Sequence, residues 1–127
     1  MEAMVKQVCI DSDILIGLLN GDDAARERIA SLDADFFTTA VNSFELWYGR
    51  KSNEPVFELL EWLTVLSMDD RAGRLAADIM RALKKRGQLL DLRDVFIAAI
   101  CITNGLELLT NNRQHFARMS GFGLVLA

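Results

Sequence analysis

Residues 93–110, RDVFIAAICITNGLELLT, hold the reading that decides the fold. The stretch from 93 to 104 is apolar on nearly every side, and Val95 to Ile102 runs eight residues without a charge. Apolarity all round predicts a helix buried inside the domain, since a surface helix keeps a polar face. Gly105 supplies a helix stop, and 106–110 (LELLT) is a short apolar run that reads as a strand. A buried helix feeding a buried strand is the repeating unit of a parallel sheet covered on both faces. Eight apolar residues fall far short of the roughly 20 needed to cross a bilayer.

Working outward, the same alternation recurs. Residues 5–10 (VKQVCI) read as a strand ending at Asp11, followed by helices over about 13–20, closed by Asn20-Gly21, and 22–32. Residues 35–39 (DFFTT) read as a second strand leading into a helix over about 42–50. A helix over about 55–63 has Pro55 in its first turn and puts Val56, Leu59, Leu60 and Leu63 on one face. Residues 64–68 read as a third strand. Over about 70–86, Ala72, Leu75, Ala76, Ile79, Met80 and Leu83 follow helical spacing, with Ser67 and Asp70 at capping-box spacing ahead. A last strand includes Leu124 to Leu126. The expectation is one α/β domain over 1–127, three layers deep, with a central, mostly parallel sheet of about 4–5 strands.

Composition agrees. A chain of 127 residues, 51% apolar, builds one real core. Before Asp11 only Val8-Cys9-Ile10 is densely apolar, too short for a secretion signal, so the expectation is a cytoplasmic protein. Cys9 and Cys101 sit in apolar segments and read as buried small hydrophobes. The net charge of −4 argues against a polyanion partner. It is unevenly distributed, however: residues 1–61 carry 12 acids and 5 bases, residues 62–127 carry 6 acids and 9 bases. Phosphate met through bound cations also calls for fewer lysines than phosphate met directly.

Four polar positions occupy equivalent places in the pattern. Asp11 ends the first strand, Glu45 lies in the first turn of the helix after the second, Asp94 opens the buried helix, and Thr110-Asn111-Asn112 follows the fourth strand. Strand-to-helix junctions of an open parallel sheet share one edge, where ligand sites collect. Each acid alone has a plain reading as a helix cap: Asp11 or Ser12, Asn42 with Glu45, Asp91 with Asp94. Gathered together, three carboxylates repel and raise one another's pKa unless cations compensate. Oxygen donors without histidine or cysteine suit Mg²⁺ or Mn²⁺, and such clusters can clamp a phosphodiester during in-line displacement.

Three stretches, VCIDSDILIGLLNGD, TTAVNSFELWYGR and LLDLRDVFIAAICITNGLELLTNNRQHF, together resemble the PIN-domain family, whose small toxins of the VapC type are ribonucleases. The blocks stand in the family's order and spacing over essentially the whole chain. The resemblance implies metal-ligand roles for Asp11, Glu45 and Asp94, with Thr110 and Asn112 supporting the site. It further implies Mg²⁺-dependent hydrolysis of RNA, a homodimer, and a cognate antitoxin as partner. Two departures stand out: Asp13 replaces the more usual asparagine, and Asn112 stands where many members have a fourth acid.

Arg93 and Arg113, neighbours of these positions, are the candidate phosphate contacts. Lys84-Lys85-Arg86 and Arg50-Lys51 read first as cations at helix ends. The one histidine, His115, reads as a structural loop residue, and Phe44, Trp47, Tyr48, Phe57 and Trp62 read as packing or interface aromatics. Alternatives are a PIN-fold binding module without cleavage, weakened at Asn112, and a haloacid-dehalogenase-like phosphatase built on Asp11-Ser12-Asp13. The latter needs a suitably placed downstream lysine, and after Lys51 only Lys84 and Lys85 remain. A response-regulator receiver fails for want of a lysine after its last strand.

Overall fold

The computed structural model describes residues 5–88 and 90–127. Residues 1–4 of the expected domain, and Leu89 within the third block of resemblance, lie outside the described residues. Five strands form one sheet: β1 (Lys6–Ile10), β2 (Ala34–Thr39), β3 (Thr64–Leu66), β4 (Glu107–Leu109) and β5 (Val125–Leu126). Their order is β3-β2-β1-β4-β5, and every pairing is parallel.

Parallel strands need crossovers, and the helices provide them. After β1 come α1 (Ser12–Leu19) and α2 (Asp23–Ala30); after β2 come α3 (Ala40–Tyr48) and α4 (Asn53–Trp62). After β3 come α5 (Asp70–Lys85) and α6 (Leu92–Asn104), and after β4 the single turn α7 (Arg113–Phe116) and a 3₁₀ turn, Ala117–Phe122. Successive strand residues point to opposite faces, so β1 feeds two cores at once. Val8 and Ile10 join Ile14, Leu15, Ala25, Leu46 and Val56 from α1–α4. Cys9 faces the other way, onto Ala76, Ile79 and Leu83 of α5 and Ala98 and Cys101 of α6. The result is the three-layer α/β/α arrangement expected from the sequence.

The apolar stretch is the most buried helix: Val95 and Ile97 to Cys101 are essentially inaccessible. Gly105 ends it in the left-handed region (φ 69°), where the Leu106 N–H closes on the Cys101 carbonyl at 2.9 Å. Both cysteines are free and buried.

Three expectations need correction. The capping box of α3 joins Thr39 to Asn42, not Asn42 to Glu45, because Thr39 at the end of β2 already offers its hydroxyl to the Asn42 N–H. Helix α3 therefore starts at Ala40, and Glu45 lies beyond its first turn. Helix α5 is capped by Asp69, whose carboxylate accepts from the Ala72 N–H at 2.9 Å, rather than by a box between Ser67 and Asp70. The loop expected after Asn112 coils into α7, with Phe116 fully buried as its anchor.

A Cβ at Gly105 meets nothing within 4 Å, so Gly105→Ala isolates the backbone cost of the left-handed conformation. We expect a loss of about 1 kcal/mol, read as a lower urea midpoint with unchanged slope.

Candidate active site

The strand order reverses direction between β1 and β4, and the carboxyl ends of the strands at such a switch point are where ligand sites of parallel sheets collect. Asp11 stands directly after β1 and its backbone N–H donates to the Leu109 carbonyl of β4 at 2.9 Å. The residue is only 7% exposed. A carboxylate so placed needs donors, and three elements supply them. Oδ1 accepts from the Ser12 N–H at 2.9 Å and from Asn42 Nδ2 at 3.0 Å. Oδ2 accepts from the Thr110 hydroxyl at 2.7 Å.

Asn42 is the hub. Fully buried, it caps α3 with its oxygen, accepting the Thr39 hydroxyl at 2.7 Å. Its amide donates both to Asp11 and to Ser12 Oγ, the latter at 2.8 Å. Ser12 Oγ in turn donates to Glu45 Oε1 at 2.9 Å. Asp11 and Glu45, 34 positions apart in sequence, are thus tied through two neutral side chains.

Thr110 has the same double use, donating to Asp11 and accepting the Asn112 N–H at 3.0 Å. Asp13 lies 3.4 Å from that hydroxyl, which has one proton and gives it to the nearer Asp11. Its Oδ2 is instead held by the Asn111 N–H at 3.0 Å, so Asp13 pins the loop after β4. Arg28 of α2 braces the same loop, bonding Asn111 Oδ1 and, at 3.3 Å, the Thr110 carbonyl. The Asn112 side chain is exposed and makes no cap for α7.

Asp94 enters from the first turn of α6, which Asp91 caps by accepting the Arg93 N–H at 2.9 Å. Asp94 is half-buried, and His115 Nε2 stands 2.9 Å from its Oδ2. Arg93 spans Asp91 Oδ2 at 2.8 Å and Glu45 Oε2 at 3.3 Å, while Arg113 reaches the backbone carbonyl of Ala127. Sequence reasoning missed Asn42, Arg28 and His115. The Thr39-x-x-Asn42 spacing was the one available signal among them.

Burial is the main influence on the acids. It pushes Asp11 up to about 6, with the Asp13 and Asp94 charges adding to it and the Thr110 and Ser12 hydrogen bonds opposing it. Asp94 is raised too, first by burial, with Asp91 and Glu45 adding and His115 and Arg93 opposing. The carboxylates therefore share one field. Among the described residues, however, no three His, Cys, Asp or Glu side chains close into a cage as they stand. The donor set still fits a hard divalent cation: it is all oxygen, it is negative, and it is partly withdrawn from water.

A folded value near 6 means that Asp11 holds a proton more tightly folded than unfolded. The resulting stability is present below about pH 4 and is lost as the pH rises through about 6. Asp11→Asn stays neutral throughout. Without divalent cations, its stability relative to the parent should rise by on the order of 2 kcal/mol between about pH 4 and pH 8. Urea unfolding at both pH values checks this; a constant difference rules out the burial effect.

Comparison with known proteins follows the same lines. A family profile described as PIN domain matches residues 8–121. The chain is 33% identical over 113 residues to Ribonuclease VapC10 of Mycobacterium tuberculosis, covering 86% of this chain and 85% of that protein. It is 28% identical over 126 residues to Ribonuclease VapC1 of Methanocaldococcus jannaschii, covering 98% and 89%. Among solved structures, VapBC2 of Rickettsia felis bound to a promoter DNA fragment superposes with TM-score 0.80 at 20% identity, covering 94% of this chain and 96% of that one. The DNA-bound VapBC of Salmonella typhimurium gives TM-score 0.78 at 25% identity, covering 96% and 97%. The phosphatase and receiver readings thereby fall away. By sequence and by fold, the chain belongs to the PIN-domain family.

Proposed function

We propose that the protein is an endoribonuclease dependent on Mg²⁺ or Mn²⁺, the toxin of a toxin–antitoxin pair, acting in the cytoplasm. The observation that carries this reading is the buried Asp11 at the switch point, bonded to Thr110 and linked through Asn42 and Ser12 to Glu45. Support comes from the relatives named ribonuclease and from the neighbours solved as toxin–antitoxin complexes.

In this reading Asp11 and Asp94 hold the cation, Glu45 directly or through water, and the Asn112 amide oxygen supports it without adding charge. A bound cation of this kind supplies Lewis acidity toward the phosphate and makes its water a stronger acid. The chain's own contribution is order. Thr110, Ser12 and Asn42 hold the Asp11 oxygens in place, so the carboxylate need not reorganise when phosphate arrives. The Ser12 hydroxyl fixes Glu45 Oε1, leaving Oε2 toward Arg93. The Arg93 side chain is more than half exposed, so its guanidinium can turn to the RNA phosphate, exchanging one anionic partner for another. Arg113, held at Ala127, borders the same loop.

The apolar surface suits protein partners. Phe44 and Tyr48 stack on each other at 5.7 Å and lie 60% and 83% exposed, with Phe57 and Leu92 also exposed. Burying such rings is a strong source of interface energy, and in this reading they meet a second copy or the antitoxin. Among the described residues no helix is long and apolar enough to cross a membrane. The exposed, uncharged Asn112 favours one competing reading, a PIN module that binds RNA or protein without cutting it.

Two measurements test the proposal. Purified protein should cleave a panel of defined RNAs with Mg²⁺ and lose that activity in EDTA. Asp11→Asn and Asp94→Asn should each lower cleavage by about a hundredfold or more; retention of activity in either overturns the assignment. Separately, Mn²⁺ at about 100 times its Kd should stabilise the RNA-free fold by about 2.7 kcal/mol. A flat thermal response at millimolar cation favours the non-cutting module.

A further inference from the structure

We propose that His115 is a positioning residue for Asp94, holding the Oδ2 oxygen so that Oδ1 is the one left for the cation. The inference rests on the reading of the site given above.

Three observations carry it. His115 Nε2 is shut off from water and has no aligned hydrogen-bond partner, yet it stands 2.9 Å from Asp94 Oδ2. A buried nitrogen left unpaired is costly, and the carboxylate is the group within reach. The distance also assigns the proton. A lone pair on Nε2 at 2.9 Å would oppose the carboxylate oxygen, so the pairing calls for the hydrogen on Nε2, and a small tilt of either side chain would complete the bond.

The second observation is that the arm bearing His115 is fixed at both ends. The Asn112 N–H is held by Thr110 Oγ1 at 3.0 Å, the same hydroxyl that holds Asp11. At the other end Phe116 is fully buried in the core, and its ring meets the imidazole edge-on, centroids 6.2 Å apart at 87°. The imidazole is therefore set by α7 and its anchor rather than by solvent.

The third is the state of Asp94 itself. Among the described residues, it is the one of the three proposed carboxylate ligands with no hydroxyl or amide donor of the kind that orients Asp11 and Glu45. His115 supplies the orienting contact that the other two receive from Thr110, Asn42 and Ser12. Partners behind a metal ligand commonly contribute tenfold to hundredfold in affinity.

The test compares His115→Gln, whose amide reaches the position of Nε2, with His115→Asn, whose amide is too short. The probe is Mn²⁺ alone, titrated against thermal unfolding of RNA-free protein, with the Mn²⁺ dependence of RNA cleavage as a second readout. We expect the H115Q midpoint to lie close to the parent's and the H115N midpoint to be about tenfold higher. KM for RNA at saturating Mn²⁺ should be unchanged in both. A merely structural role would instead lower the metal-free unfolding temperature of both and leave the Mn²⁺ midpoints together. H115N matching the parent, or H115Q as weak as H115N, overturns the proposal while leaving the site reading intact. A parent protein indifferent to Mn²⁺ overturns the site reading, and this inference with it.

Discussion

The burial of one carboxylate governs the rest of the structure. Asp11 is carried into the sheet by β1, the central strand, and its N–H is tied to β4. A charge there must be solvated by the protein, since water is largely excluded. The donors arrive from three separate places: the Ser12 backbone at the start of α1, Asn42 on α3, and Thr110 after β4. Meeting that one requirement engages the first turn of α3, the start of α1 and the loop after β4 at a single point.

The opposing effects do not cancel. Hydrogen bonds from Thr110 and Ser12 favour the charged form, and desolvation with the nearby acids outweighs them, so the group stays near 6. Structural economy would place a neutral residue here, and a persistent unfavourable charge is the kind of strain that functional sites carry. A divalent cation, if bound as proposed, would relieve this conflict by countering the local negative field.

Much of the fold was legible beforehand. The all-apolar run through Ile102 marks a helix that cannot be a surface helix, and the helical spacing of Ala72 to Leu83 marks its packing partner. Periodicity and stop signals survive in a single sequence because they are local. The errors were local too, but competitive: Asn42 has two plausible capping relations, and the one to Thr39 prevails because Thr39, in extended backbone at the end of β2, accepts the Asn42 N–H with its hydroxyl. The same choice moved Glu45 out of the first turn and made Asn42 a contact of Asp11.

The sequence by itself determined the α/β alternation, the closing of α6 at Gly105, and the placement of Asp11 and Thr110 directly after strands. Each follows from neighbours within a few residues, through hydrophobic period or backbone preference. Asp94 opens the buried helix as read, but that helix follows α5 and not a strand, so its place beside the other acids was not a matter of strand-to-helix junctions. Only the tertiary structure decided that β1 lies between β2 and β4, that Asn42 and Ser12 join Asp11 to Glu45, and that His115 lies against Asp94. Those contacts join residues up to 99 positions apart, as Thr110 and Asp11 are. No spacing rule reaches that far, because the strand order that brings such residues together is set by the packing of the whole sheet.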